Sequence, residues 1–184
     1  MNWLPFAITA YVFYALQASL GPAWSVGGAT PNLLLILAVF VGVSATRAVV
    51  PWALLVVGVL LDTLPGPLRD QGVIVGPQAV GFLVGAYAVL QLRNLLFRES
   101  VLTVVLLVLA VGGFAALVET LLITLRGVPW LADQPAGWGA IDQLGKRLPE
   151  LLYTAAAAVP VGLLLGVTRP LWGFAKKAKA ERVF

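Results

Sequence analysis

The chain contains no histidine and no cysteine among its 184 residues, and only 11% of its side chains are charged. These absences exclude a metal site built from histidine and cysteine, a Ser–His catalytic pair and a cysteine nucleophile. They also exclude disulfide bonds. The sequence has no phosphate-binding glycine loop ending in Gly-Lys-Ser/Thr and no acidic cluster suited to Mg²⁺. We therefore expect neither an enzyme nor a bound cofactor or metal ion.

Apolar residues, which make up 60% of the chain, form six long runs with few charges. Uninterrupted apolar runs of about 18 residues are typical of membrane-spanning helices. The pattern predicts an all-α polytopic membrane protein with one domain, residues 1–184, and six transmembrane helices. The predicted spans are residues 3–20, 31–46, 49–64, 73–92, 100–125 and 148–168, followed by a basic tail at 169–184.

The basic residues predict the orientation of the chain. With six spans, eight of the 12 Lys and Arg residues lie on the side of the termini, namely Arg47, Arg93, Arg98, Arg169, Lys176, Lys177, Lys179 and Arg182. The other four lie on the opposite side: Arg69, Arg126, Lys146 and Arg147. This asymmetry places both termini in the cytoplasm. The basic tail then indicates contact with anionic lipid, or alternatively with a cytoplasmic protein, and not with nucleic acid.

Two carboxylates, Asp62 and Glu119, fall inside predicted spans and towards the outer leaflet. Charges at such depth are costly and are usually paired or functional. One interpretation pairs them with Arg69 and Arg126, or with the threonine hydroxyl that follows each carboxylate, and so locks the bundle. A second makes them part of an outward-facing polar pocket for a ligand or a partner segment, and a third is a proton relay.

Glycine spacing indicates where helices approach closely. Gly81 and Gly85 form a small-xxx-small step in the fourth span, and Gly162 and Gly166 form another in the sixth. Such steps allow close backbone contact, either within the protein or with another protein's helix. Pro160 should kink the sixth span.

The segment before the sixth span carries Ile141, Leu144 and Leu148 at helical spacing, with charged residues between them. This spacing is typical of a short amphipathic helix on the outer membrane surface. An irregular loop with interfacial tryptophans is an equally good interpretation of the same residues.

Two short motifs resemble those of the MreD family of bacterial rod shape-determining membrane proteins. The first is Pro31-Asn32 followed by a leucine run, and the second is Gly58-Val59-Leu60-Leu61-Asp62-Thr63-Leu64-Pro65-Gly66. Small residues at Gly81 and Gly85, the chain length, the six spans and the basic end also resemble that family. The matching motif positions are Pro31, Asn32 and Asp62.

The resemblance implies a fold similar to the substrate-binding subunits of energy-coupling-factor transporters. It implies a non-enzymatic inner-membrane component of the cell-elongation machinery, which binds an MreC-like single-span protein near the penicillin-binding protein–RodA synthase and MreB. Such a component would help regulate peptidoglycan synthesis and cell shape. The alternative is a vitamin-binding subunit of a membrane transporter, which requires several convergent polar groups within an apolar cavity.

Overall fold

Six α-helices and no β-strand make up the parts of the chain that this computed structural model describes, residues 1–64, 76–93, 101–126 and 138–174. The helices are α1 (Trp3–Leu20), α2 (Leu33–Ser44), α3 (Val50–Thr63), α4 (Pro77–Leu92), α5 (Val101–Arg126) and α6 (Ala140–Thr168). A short 3₁₀ turn, Arg169–Trp172, extends α6. The prediction of an all-α protein is confirmed for these residues.

Among the described residues, three segments are long and apolar enough to cross a membrane: Trp3–Leu20, Leu102–Arg126 and Ala140–Trp172. The helices α2, α3 and α4 have 12, 14 and 16 residues. At 1.5 Å per residue they are about 18–24 Å long, less than the hydrocarbon thickness of about 30 Å. These helix lengths therefore do not confirm the prediction of six full membrane spans.

The shortest helix, α2, lies at the centre of the bundle and contacts each of the other five helices. Its residues from Leu33 to Gly42 are all buried. A helix that is apolar on every side is typical of such a central position. Because α2 is enclosed by protein, its ends do not have to reach the lipid headgroups.

The helix α2 begins at Leu33, two residues after the predicted start of the second span at residue 31. Asn32 is the N-cap, and its side-chain oxygen accepts the backbone N–H of Leu35 at 2.8 Å. The Gln17 side chain of α1 accepts the N–H of Leu33 at 3.1 Å. These side chains provide acceptors that the first turn of a helix lacks, so its N–H groups are bonded within the protein.

Arg93 caps the other end of α2. The sequence analysis had used this residue only to predict which side of the membrane is cytoplasmic. Arg93 follows α4 and is buried, with 5% of its surface exposed. Its guanidinium donates to the carbonyl oxygens of Gly42 and Ala45 at 3.0 and 2.9 Å. A cation therefore complements the negative end of the central helix.

The first residues of the chain and the end of α6 meet at one end of the bundle. The backbone N–H of Asn2 donates to the carbonyl oxygen of Trp172 at 2.8 Å, and the buried Trp172 ring packs edge-on against Phe40 of α2. We call this the inner end, following the predicted orientation. The opposite end, which holds Gln17, Asn32 and the C-terminus of α3, is called the outer end.

The helix α6 begins at Ala140, earlier than the predicted start at residue 148. Residues 140–148 continue directly into α6, and the helix passes through both Pro149 and Pro160. The amphipathic spacing of Ile141, Leu144 and Leu148 is therefore part of α6 and not a separate surface helix.

Candidate functional site

Polar and charged side chains from several helices gather at the outer end of the bundle. We call this set the polar layer, and it comprises Gln17, Asn32, Asp62, Glu119, Arg147, Glu150 and Thr154. The alternating direction of the helices brings these residues to one end, because α1, α3 and α5 finish there and α2, α4 and α6 begin there.

Asp62, near the end of α3, accepts hydrogen bonds from the first turn of α4. Its carboxylate oxygens receive the backbone N–H groups of Gly76, Gln78 and Ala79 at 2.9, 3.1 and 3.0 Å. Negative charge at a helix N-terminus is favourable, and these N–H groups have no intrahelical acceptor. Asp62 therefore does for α4 what an N-cap side chain does, although it comes from another helix.

The arginine expected beside Asp62 was Arg69, which lies outside the described residues. The hydroxyl of Thr63, the other expected partner, donates instead to the Leu60 carbonyl oxygen at 2.7 Å. The contacts seen at Asp62 are thus backbone N–H groups, which the pattern of side-chain charges does not indicate.

Glu119 on α5 forms an ion pair with Arg147 of α6, at 2.6 Å between Oε1 and Nη2. The expected partners were Arg126, two turns further along the same helix, or the hydroxyl of Thr120. Arg147 was missed because the prediction placed it in the loop before the sixth span. The side chain of Glu119 is 6% exposed and that of Arg147 is 27% exposed, so the arginine bridges the buried carboxylate and the outer surface.

Thr154 of α6 connects the ion-paired end of α6 to the start of α2. The Thr154 hydroxyl, one turn beyond Glu150, donates to the Glu150 carbonyl oxygen at 2.7 Å and accepts the Asn32 N–H at 2.9 Å. Within the polar layer, α6 is therefore linked to α2 through Thr154 and to α5 through Arg147. Within the described ranges, no group of three or more Asp, Glu, His or Cys residues is arranged to hold a metal ion.

A second feature is an apolar groove of about 580 Å³ between α1 and α3, which we call the lateral groove. Its lining residues are Trp3, Phe6, Ala7, Ala10, Tyr11, Tyr14, Val56, Leu60 and Thr63. The lining contains small and aromatic side chains and no charged one. At its outer end the hydroxyl oxygens of Tyr14 and Thr63 lie 3.4 Å apart.

The lateral groove exists because α1 packs lightly against the bundle. Tyr11 on α1 is 72% exposed, and Val56 on the facing side of α3 is 42% exposed. Only three of the 18 residues of α1 are buried, namely Phe6, Ala10 and Phe13. The small and aromatic residues of α1 are visible in the sequence. Their arrangement into a groove depends on the separation between α1 and α3.

The two predicted glycine steps have different surroundings. A Cβ atom on Gly81 would lie 2.9 Å from the carbonyl oxygen of Ala115, and one on Gly85 would lie 2.8 Å from a Val111 methyl group, so α4 and α5 cross closely there. In the sixth helix, a Cβ on Gly162 would only touch Val104 at 3.8 Å. Gly166 is exposed, and among described residues no atom lies within 4 Å of its Cβ position. The face of α6 that carries Gly166 therefore makes no close helix contact with the described part of the bundle.

No family model matches the chain, and no similar protein was found among curated sequences or solved structures.

Proposed function

We propose that this protein is a non-enzymatic scaffold of the bacterial inner membrane, similar in role to MreD. In this proposal all six helices lie in the membrane, with the inner end in the cytoplasm and a fold like that of energy-coupling-factor binding subunits. The protein binds the transmembrane helix of an MreC-like single-span protein and helps regulate peptidoglycan synthesis and cell shape. It works near the penicillin-binding protein–RodA synthase and MreB.

The observation that carries the proposal is the lateral groove. A helix-binding surface within a bilayer needs small residues that allow close approach, because lipid tails are as apolar as any helix surface. Ala7 and Ala10 supply small residues, and Tyr11 and Tyr14 supply aromatic walls. The groove runs from Trp3 to Tyr14, a rise of about 17 Å along α1, which matches about three turns of a partner helix. Its uncharged lining suits an uncharged transmembrane segment.

The polar layer favours this function over the vitamin-binding alternative. A small-molecule site needs several polar groups that are available to a ligand. Here Asp62 receives three backbone N–H groups, and Glu119 is paired with Arg147. Groups already bonded within the protein fix the helices to one another, which is what a scaffold requires.

The motif residues have roles that fit a shared architecture. Asn32 caps the central helix, and Asp62 holds the start of α4 against the end of α3. Pro31 is buried directly before the capping residue. These residues support the resemblance through the positions they fix, and none is assigned contact with the partner.

A complementation experiment with matched variants tests the function. Ala7→Phe would fill the lateral groove, whereas Ala156→Phe adds the same side chain on an exposed part of α6. In a host lacking the gene, we expect rounded or widened cells, rescue by the parent and by Ala156→Phe, and failure of rescue by Ala7→Phe at equal protein levels. Normal shape in the deletion strain, with lost uptake of one vitamin, would establish the transporter alternative instead.

A further inference from the structure

The start of α6 combines a weak point in the helix with polar contacts to α5 on either side of it. Pro149 has no N–H, so the carbonyl oxygen of Gly145 cannot receive its usual intrahelical hydrogen bond, and the proline ring crowds that same carbonyl. Gly145 itself is exposed, with open space around its Cβ position among the described residues. Glycine and proline therefore weaken the same turn, and kinks in helices concentrate at such positions.

Two polar contacts to α5 hold the segment around this turn. The Trp138 indole N–H donates to the Thr124 hydroxyl at 3.1 Å. Arg147 donates to Glu119 at 2.6 Å, and it lies between Gly145 and Pro149 in the weakened turn. The ion pair therefore spans the point at which α6 bends most easily.

The same segment also has features of a helix that lies on a membrane surface. Ile141 is 86% exposed and Leu148 is 59% exposed. A helical segment with exposed apolar side chains is stabilised at a membrane surface. Binding to the lipid interface would therefore offset the cost of separating the segment from α5.

We propose that residues 138–148 form a hinged strap across the outer end of the bundle. The turn from Gly145 to Pro149 is the hinge, and the Glu119–Arg147 ion pair is the latch. Release of the latch moves the strap towards the membrane surface and exposes the Glu119 carboxylate, which is 6% exposed in the latched position. The strap goes beyond the proposed scaffold function and does not depend on which partner occupies the lateral groove.

The size of the motion follows from the helix geometry. Ile141 is eight residues from Pro149, which gives a lever of about 12 Å at 1.5 Å per residue. A rotation of about 30° at a proline hinge would then displace Ile141 by about 6 Å. A change of this size is resolved by distance measurements between two spin labels.

The absence of native cysteine makes that measurement direct, because labels attach only at introduced positions. The full chain, reconstituted in lipid nanodiscs, carries Ile141→Cys on the strap and Leu125→Cys at the end of α5. Arg147→Gln breaks the latch, and Lys146→Gln removes the same charge from the neighbouring exposed residue as a control. We expect Arg147→Gln to add a population shifted by about 6 Å, the displacement that a proline hinge produces at Ile141, and Lys146→Gln to leave the parent distribution unchanged.

Replacement of the hinge proline separates a hinge from general loosening. Pro149→Ala restores the N–H donor, so adding it to Arg147→Gln should remove the shifted population. An unshifted distribution in folded Arg147→Gln protein would overturn the proposal, as would a shift that persists with Pro149→Ala. If the charge variants do not fold, Pro149→Ala by itself tests the hinge. It should narrow the distribution of distances between the two labels, and an unchanged width would contradict the hinge.

Discussion

Replacing Asp62 with alanine should destabilise the bundle more than its half-buried position suggests. The carboxylate accepts three backbone N–H groups at the start of α4, those of Gly76, Gln78 and Ala79. Alanine removes all three hydrogen bonds and leaves the N-terminus of α4 without its complementary negative charge. The loss of stability in Asp62→Ala therefore measures the contribution of these capping hydrogen bonds.

The magnitude follows from the number of N–H groups released. Removal of a single capping side chain costs about 0.5–2 kcal/mol, and each buried polar group left unpaired costs about 1–3 kcal/mol. Because Asp62 is only partly buried, water can bond to some of the released N–H groups. We therefore expect a decrease of about 2–4 kcal/mol in the free energy of unfolding. For a chain of this length, that corresponds to a fall of about 5–15 °C in the melting temperature.

Thermal unfolding of the purified protein in one mild detergent measures this decrease. Asp62→Asn keeps one acceptor oxygen and should fall between the parent and Asp62→Ala. Asp142→Ala is the matched control, since it removes an exposed aspartate from the first turn of α6. A melting temperature for Asp62→Ala equal to that of Asp142→Ala would refute the assignment of Asp62 as the cap of α4.

The remaining stability predictions concern the glycine steps and the ion pair. Gly81→Leu should reduce accumulation or lower the melting temperature sharply, because its Cβ would meet the Ala115 backbone. Gly166→Leu is the control and should have little effect. Equal behaviour of the two variants would show that the crossing of α4 and α5 is not tight. Arg147→Met should cost about 3 kcal/mol, since Glu119 loses its ion-pair partner, and adding Glu119→Leu should restore part of that stability. A double variant less stable than the single one, in the same melting assay, would contradict this pairing.

The sequence carried enough information to locate the helices and several of their contacts. Apolar runs predicted five of the six helix positions closely, because a long uncharged run has few other stable arrangements. The close crossing at Gly81 followed from small-residue spacing, and the polar role of Asp62 followed from the cost of a charge at that depth. The sequence of α2 is apolar on every side, which also indicates a central helix. The prediction used that apolar run only to place a span.

The partners of the two carboxylates could not be predicted in the same way. Asp62 is bonded to backbone N–H groups, which every helix start offers regardless of its side chains. Arg147 became available to Glu119 only because α6 begins at Ala140, whereas the prediction treated the residues before 148 as a separate surface helix or a loop. The spacing of Ile141 and Leu148 was the signal that could have extended the helix. The lateral groove depends on the separation of α1 from α3, which no local pattern encodes.

The central claim is that the lateral groove holds the transmembrane helix of an MreC-like partner. The most direct test places a photoreactive phenylalanine analogue at Tyr11 in the groove or, as a matched control, at the similarly exposed Tyr87 on α4. Each variant is co-expressed with the host's own MreC-like protein and irradiated in intact membranes. The account predicts a cross-link to that protein from position 11 and none from position 87. Cross-linking from position 87 alone, or equally from both positions, would contradict it.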